Sequence, residues 1–217
     1  MAFISTGLLG LDDLLGGGIS AGTITDISGP GGSGKTQLAM QISLNSLQQS
    51  RVLYQDTSGG FRPERMLQMI QVRGLEPSLL DDVIVARITN TAEQLEYVKK
   101  ISVMQPRLVV IENITDLFSF EYSKESSMLE KHVQFIKYMH ELSFLAVQNK
   151  IAVVVTNVVR NMEGREVENL NNSISMFVHK KIKLQKDGKK YRAQVLPSFG
   201  EKKEILYTIT QSGIEAP

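Results

Sequence analysis

The chain has 217 residues, 42% hydrophobic and 22% charged, and 24 basic against 23 acidic side chains leave a net charge of +1. Such a chain is long enough for one domain with a sizeable core, and its bulk charge does not indicate a nucleic-acid binder. The absence of cysteine excludes disulfides and thiolate metal sites, and no apolar run approaches the ~20 residues of a membrane-spanning helix. We therefore expect a cytoplasmic protein, since the first residues also lack a signal-peptide pattern.

Short β-branched runs alternate with helical patterns along the first 160 residues. The predicted strands are 23–27, 52–54, 83–86, 108–111 and 151–156. The predicted helices are 37–42, 63–72, 92–104 and 127–148. Strands that alternate with helices favour an α/β fold, with a mostly parallel central sheet flanked by helices.

A glycine-rich segment lies between the first predicted strand and the first predicted helix. It reads Gly29, Pro30, Gly31, Gly32, Ser33, Gly34, Lys35 and Thr36, and it fits G-x-x-x-x-G-K-[ST] at every fixed position. Backbone N–H groups of such a loop cradle phosphates at the helix N-terminus. Lys35 is expected to reach the β- and γ-phosphates, and the hydroxyl of Thr36 to bind Mg²⁺.

The pattern changes after about residue 159. Residues 160–173 are polar and predict a flexible loop, and the three histidines are too far apart in sequence to suggest a metal site. Segments 174–184 and 191–196 flank an Asp187-Gly188 turn and predict a C-terminal antiparallel hairpin, with a further strand at 205–209. Without a linker or repeat, residues 1–217 are predicted to be a single domain.

Basic residues are concentrated in this predicted hairpin. Six lysines and Arg192 lie between residues 180 and 192, against Asp187 alone. Alternate residues of a strand share a face, so Lys181 and Lys183 are predicted to be co-facial. Two interpretations stay open: a solvated lysine face that protects a sheet edge, or a contact with the phosphate backbone of a nucleic acid.

Together these motifs resemble the ATPase core of the RecA/RadA recombinase superfamily, and most closely its short archaeal RadB-type paralogues. Besides the glycine-rich loop, the resemblance is carried by residues 5–18, the run Asp56-Thr57-Ser58-Gly59-Gly60-Phe61-Arg62-Pro63-Glu64-Arg65, and Val153-Val154-Val155-Thr156-Asn157. It covers almost the whole chain in order. It implies a RecA-like P-loop NTPase core whose cofactors are ATP and Mg²⁺.

The resemblance also implies roles for two further side chains. Arg65 matches an arginine that stacks on adenine, although a helix-surface arginine paired with a neighbouring glutamate is the alternative. Glu112 stands where the family usually has an aspartate beside Mg²⁺, and glutamate can still hold a hydrated ion through one oxygen. The alternative for Glu112 is a solvated acid at a strand end.

Two departures from the family pattern concern catalysis. Ser58 replaces the glutamate that activates the attacking water, and loss of a general base typically costs 10²–10⁴-fold in rate. Asp56 is a weak substitute, because two residues along a strand displace it by about 6–7 Å. Val158 replaces a glutamine that senses the γ-phosphate, and valine has no amide for that role.

The resemblance implies two loops for single-stranded DNA, at about residues 119–127 and 160–172. Their basic residues are Lys124, Arg160 and Arg165, interspersed with several acids, so neither loop attracts phosphate strongly. Lys181 and Lys183 of the hairpin are the other candidates. Neither loop has aromatic side chains suited to base stacking beyond Phe120 and Tyr122.

Family filaments form when an apolar hook N-terminal to the core docks on the next subunit. This chain begins almost at the core, so we expect no self-filament, but capping or seeding of a RadA-type recombinase filament. The leading expectation is a recombinase paralogue that binds ATP, hydrolyses it weakly or not at all, and assists DNA recombination and repair. The alternatives are an active DNA-dependent ATPase with a different base, and a KaiC-like regulatory ATPase without a DNA role.

Overall fold

Twelve strands and seven α-helices make up the part of the chain that the computed structural model describes, residues 3–162, 165–196 and 204–217. The strands are β1 (Phe3–Ile4), β2 (Ile19–Ser20), β3 (Ile24–Gly29), β4 (Val52–Asp56), β5 (Val83–Arg87), β6 (Leu108–Glu112), β7 (Ala152–Met162), β8 (Arg165–Glu168), β9 (Lys180–Asp187), β10 (Lys190–Leu196), β11 (Glu204–Ile209) and β12 (Ile214–Glu215). The helices are α1 (Leu9–Leu15), α2 (Lys35–Leu47), α3 (Pro63–Val72), α4 (Thr91–Met104), α5 (Asp116–Glu121), α6 (Met128–Asn149) and α7 (Asn171–Ser175).

One large sheet runs through the molecule in the order β12-β11-β10-β9-β3-β7-β6-β4-β5, with β8 paired to β7. Strands β9, β3, β7, β6, β4 and β5 are mutually parallel, and β9 to β12 are joined by antiparallel pairs. The predicted α/β fold, a mostly parallel sheet with C-terminal antiparallel strands, is therefore confirmed. No helix in the described ranges combines the length and the apolar character that crossing a bilayer requires.

Each face of the sheet is covered by its own hydrophobic core. Alternate residues of a strand point to opposite faces, so Tyr54 and Val110 pack in one core while Leu53 and Val109 pack in the other. Helices α1, α2 and α3 bury their apolar sides in the first core, and α4, α5 and α6 bury theirs in the second. Strands β4, β6 and the first half of β7 are buried on both faces, which explains their nearly continuous apolar sequences, whereas β5 and β9 are only partly buried.

The prediction of a flexible loop over residues 160–173 is wrong. Strand β7 continues to Met162, β8 pairs with it antiparallel, and the short helix α7 follows. The polar composition hides this order, because the hairpin of β7 and β8 is held by ion pairs to a distant strand rather than by a core of its own. Ile174 is fully buried in helix α7, so the strand predicted from residue 174 begins only at residue 180.

Two smaller expectations are also corrected by the fold. Strand β9 lies between β3 and β10, so its lysines do not protect a sheet edge. Within the predicted DNA loop at 119–127, residues up to Glu121 belong to helix α5, and Glu125–Ser127 forms a 3₁₀ turn.

Candidate nucleotide site

The glycine-rich loop joins the carboxyl end of β3 to the first residue of α2, as the motif predicts. Tyr207 of β11 fixes the loop from outside, because its hydroxyl donates to the carbonyl oxygen of Ser33 at 2.5 Å. Gly34 has φ of 93°, and a Cβ at this position would come within 3.0 Å of the Cδ1 atom of Ile209. Only glycine combines this left-handed conformation with such close packing. The loop therefore presents its backbone at a helix N-terminus, which is an anion-binding arrangement.

Lys35 lies within this loop rather than in solvent. Its Nζ atom donates to the carbonyl oxygens of Gly29 and Pro30, both at 2.9 Å. Burial lowers the pKa of Lys35, and the carboxylates of Glu112 and Asp116 oppose that shift. The ammonium group is thus held at the loop by two neutral acceptors, which anionic phosphate oxygens would outcompete as charge-assisted partners.

Thr36 and Glu112, the predicted Mg²⁺ ligands, are brought into direct contact by α2 and β6. The hydroxyl of Thr36 donates to Oε1 of Glu112, and the hydroxyl of Tyr54 donates to Oε2 at 2.8 Å. Burial, followed by the charge of Glu112, raises the pKa of Tyr54 well above its ordinary value, so Tyr54 remains a donor. Hydroxyl and carboxylate oxygens are the hard ligands that Mg²⁺ takes, and the donor set suits that ion.

Ser58 lies just beyond the end of β4 and is exposed. A Cβ built on Gly60 would lie 3.1 Å from Oγ of Ser58 and 3.4 Å from Oε1 of Glu112. The serine hydroxyl and the predicted metal-binding carboxylate therefore border the same small space. A serine there provides no carboxylate base at neutral pH.

The carboxylate of Asp56 accepts hydrogen bonds from the backbone of the turn that follows it. Its Oδ1 atom accepts from the N–H groups of Ser58, Gly59 and Gly60 at 3.0, 2.7 and 3.1 Å, and its Oδ2 atom accepts from that of Phe61 at 3.1 Å. Burial would raise the pKa of Asp56, but the four N–H donors outweigh it and lower the pKa. A carboxylate stabilised in this way is a weak base, which argues against Asp56 as a substitute for the missing glutamate.

Arg65 connects helix α3 to helix α2 and to the C-terminal turn. Its guanidinium donates to Oε1 of Gln37 at 2.8 Å and to the carbonyl oxygens of Thr210 and Gln211 at 2.6 and 2.9 Å. Its side-chain partners among the described residues are Gln37 and Gln68, so the alternative of a pair with a neighbouring glutamate is wrong. Stacking of Arg65 on adenine stays a prediction.

Two further residues lie near the glycine-rich loop, one beside its first glycine and one within electrostatic range of Lys35. Val158 of β7 is paired with Gly29 of β3, so it borders the phosphate loop. Asp116 is the first residue of α5, where burial raises its pKa although Arg160 and Lys35 exert the opposite effect. Sequence reasoning missed Asp116. The available signal was a carboxylate four residues after Glu112.

The candidate DNA-binding residues are not equally available. Lys124 and Arg160 are exposed, and the side chain of Arg165 lies outside the described part of the chain. Lys181 and Lys183 share a face, as predicted, but their Nζ atoms lie 2.6 Å from carboxylate oxygens of Glu168 and Glu166 on β8. Lys181 and Lys183 are therefore paired with carboxylates within the molecule, and their contact with DNA stays a prediction.

Asp26 lies fully buried in the middle of β3 beneath these ion pairs. Nζ of Lys181 is 3.3 Å from its Oδ2 atom, but no described residue donates a well-directed hydrogen bond to either oxygen. Burial raises the pKa of Asp26 to about 7, against the opposing charge of Lys181 and with a further increase from Glu168. Between about pH 4 and pH 7, the folded chain therefore retains a proton on Asp26 that the unfolded chain has released.

This proton makes stability fall as the pH rises from about 4 to about 7. Within that window the folded state binds more protons, so the free energy of unfolding decreases by at most ~1.4 kcal/mol per pH unit. Asp26→Asn cannot ionise, so we expect a flatter profile in denaturant unfolding at pH 5, 6, 7 and 8. Asp187→Asn, at the exposed last residue of β9, is the control and should keep the wild-type slope. Equal slopes in all three proteins would contradict the assignment.

Comparison with known proteins gives a consistent set of relatives. The family model described as Rad51 matches residues 1–217. The DNA repair and recombination protein RadB of Thermococcus sibiricus is 35% identical over 221 residues, which cover 98% of this chain and 94% of that protein. RadB of Pyrococcus abyssi is 38% identical over 160 residues, 72% of this chain and 66% of the relative. RadA of Ignicoccus hospitalis is 36% identical over 173 residues, and only 53% of its length is covered.

Proposed function

Since this chain belongs to the Rad51 family of the RecA/RadA superfamily, as a RadB-type member, we propose that it is an ATP-binding paralogue that assists homologous recombination and DNA repair. We propose further that it hydrolyses ATP weakly or not at all. One observation carries this proposal: an intact phosphate loop lies beside a serine where a general base would be needed.

Nucleotide binding rests on residues that already converge. Lys35 would exchange the carbonyl oxygens of Gly29 and Pro30 for phosphate oxygens. Thr36 and Glu112 would hold Mg²⁺, with Tyr54 orienting the carboxylate through its second oxygen. ATP, when bound, supplies a phosphoanhydride that water can cleave. Ser58 leaves the chain without a carboxylate that could act as general base on the attacking water.

Whether the chain hydrolyses the ATP that it binds depends on the general base that Ser58 does not provide. A positioned general base contributes 10²–10⁴-fold, or roughly 3–5 kcal/mol of activation free energy. Asp56 cannot easily replace it, because four N–H groups already hold its carboxylate. ATP would then act mainly as a stabilising ligand, contributing about 2.7 kcal/mol at a concentration 100 times its Kd.

The proposed partner is a RadA-type recombinase. Among the described residues, β5 is an edge strand of the large sheet, and its Val85 is exposed. An extended apolar segment of a recombinase could add to this edge through backbone hydrogen bonds and a side-chain contact. Single-stranded DNA is the second proposed partner, with Lys124 and Arg160 as the exposed cations at the loops.

A working ATPase is the second candidate function, because Asp116 lies close enough to Lys35 to interact electrostatically and has a raised pKa. A carboxylate with a pKa above its ordinary value is a better base than Asp56. Loss of turnover in Asp116→Asn, with ATP binding intact, would favour this candidate.

Strand exchange by a full-length RadA-type recombinase tests the proposed function. We expect the purified chain with ATP to change the yield or rate of exchange at sub-stoichiometric amounts. Lys35→Ala is the matched control and should have no such effect, because it cannot hold the nucleotide. No effect of the wild-type chain over a range of concentrations would contradict a role in assisting recombination.

A further inference from the structure

Helix α6 has apolar side chains on two opposite sides. The inner side packs into the core with side chains that are at most 7% exposed, namely Phe135, Tyr138, Met139, Leu142, Leu145 and Ala146. These positions recur every three or four residues, as expected for a helix that covers a sheet. A surface helix normally carries polar residues on its other side.

The outer side of α6 is also apolar. The exposed fractions are 78% for Leu129, 55% for Val133, 36% for Ile136, 58% for Phe144 and 59% for Val147. At 100° per residue, these side chains point roughly 150° away from the inner set, so no shared core can cover both. We call these five residues the outer stripe. It extends over five helical turns, and His140 lies in its middle.

Isolated exposed apolar residues need no explanation, but five of them aligned on one helix, interrupted only by His140, form a patch of the size that often marks an interaction surface. Each side chain of the outer stripe offers on the order of 100 Å² of surface, so the stripe offers roughly 500 Å² of apolar area. A standard stable interface buries about 800 Å² per partner, so the outer stripe could form its mostly apolar core while neighbouring residues supply the remaining area.

The outer stripe is nearly self-complementary when a second copy is turned end to end. Leu129 and Val147 lie nine residues before and after Tyr138, and Ile136 and His140 lie two residues before and after it. Val133 lies five residues before Tyr138, and Phe144 lies six residues after it. An antiparallel second α6 would therefore place Leu129 against the partner's Val147 and Val133 against the partner's Phe144.

Charges beside the outer stripe follow the same symmetry. Lys137 and Glu141 flank the midpoint. In an antiparallel pair, Lys137 would face the partner's Glu141, and the reverse contact would form across the twofold axis. In a parallel twofold pair, the partner's Lys137 and Glu141 would lie on the other side of the helix pair, so neither charge would meet its opposite. The charges therefore favour the antiparallel orientation, which the apolar order also allows.

We propose that the outer stripe of α6 mediates a twofold-symmetric dimer of this chain, with the two α6 helices packed antiparallel. The partner is a second copy, because each surface patch meets its own complement. Helix α2, which carries Lys35, covers the opposite face of the sheet, so the dimer leaves the nucleotide site open. This proposal is independent of the proposed function.

Sedimentation equilibrium between 1 and 100 μM tests the dimer. We expect a monomer–dimer equilibrium for the wild type. In the double variant Leu129→Glu/Phe144→Glu the dimer Kd should rise about 100-fold or more, since each subunit would bury two charges at the interface. Both positions are exposed in the monomer, so the variant should fold, as circular dichroism can establish. Leu9→Glu, at an 85% exposed residue of α1, is the matched control and should dimerise like the wild type. A monomeric wild type at 100 μM, or an unchanged Kd in the double variant, would overturn the proposal.

Cross-linking tests the orientation, because the chain has no cysteine of its own. In the antiparallel pair, position 129 faces the partner's position 147, whereas two copies of position 129 are about 27 Å apart along the helices. A mixture of Leu129→Cys and Val147→Cys proteins should therefore form disulfide-linked dimers under mild oxidation, and neither protein alone should do so. Efficient cross-linking of either single protein, without heterodimer in the mixture, would overturn the antiparallel arrangement.

Discussion

Replacing Lys35 with alanine is expected to lower the affinity for ATP by about 10²–10³-fold. The ammonium group lies inside the glycine-rich loop, 2.9 Å from two of the loop's own carbonyl oxygens. Removing one member of a largely desolvated charge pair costs 2–5 kcal/mol or more, because the phosphate charge is left without its partner. Isothermal titration calorimetry with ATP and Mg²⁺ measures the change.

A control separates the loss of phosphate binding from a folding defect. Lys100→Ala also removes an ammonium group, but its ion pair with Glu96 lies on α4, which covers the other face of the sheet. We expect this variant to bind ATP like the wild type. Unchanged affinity in Lys35→Ala would contradict the assignment of the loop as a phosphate site, whatever the control does.

Replacing Ser58 with glutamate is expected to increase ATP turnover by 10²–10⁴-fold. The side chain is exposed at the end of β4 and borders the same space as the carboxylate of Glu112, so a glutamate can enter this space without displacing a buried group. A general base positioned near the attacking water accounts for a gain of that size. Steady-state phosphate release, with and without single-stranded DNA, measures it.

Ser58→Gln is the matched control for this gain. Glutamine has the size and hydrogen-bonding capacity of glutamate but cannot accept the proton, so we expect turnover to stay at the wild-type level. An equal gain in both variants would mean that shape rather than basicity limits turnover. No gain in Ser58→Glu, with ATP binding intact, would show that Ser58 is not the position that limits hydrolysis.

The parallel core and the nucleotide loop could be predicted because their signals are local. Strands β4, β6 and β7 begin with runs of apolar residues, and the glycine-rich loop has a fixed spacing. The hairpin of β7 and β8 could not be predicted, because its polar strand is ordered by pairs such as Glu168 with Lys181, 13 residues apart. No local pattern records such a contact.

The site residues likewise divide into those that local motifs predict and those whose role depends on contacts between distant segments. Thr36 and Glu112 were identified from motif and resemblance, and the structure brings their side chains together. Tyr54 was missed, because its role depends on the register of β4 beside β6, which places its hydroxyl against Glu112. The protection of Asp56 by four backbone N–H groups likewise depends on the conformation of a turn that the sequence does not specify.

Single-turnover hydrolysis tests the central claim, that this chain holds ATP without efficient cleavage, most directly. Protein in excess over radiolabelled ATP and Mg²⁺ removes product release from the measured rate, and single-stranded DNA can be added to the same reaction. The account predicts that bound ATP stays intact for many minutes in the wild type, with or without DNA, and is converted to ADP much faster in Ser58→Glu. Rapid, DNA-stimulated conversion by the wild type would contradict it and assign the base to another residue, with Asp116 the first to examine.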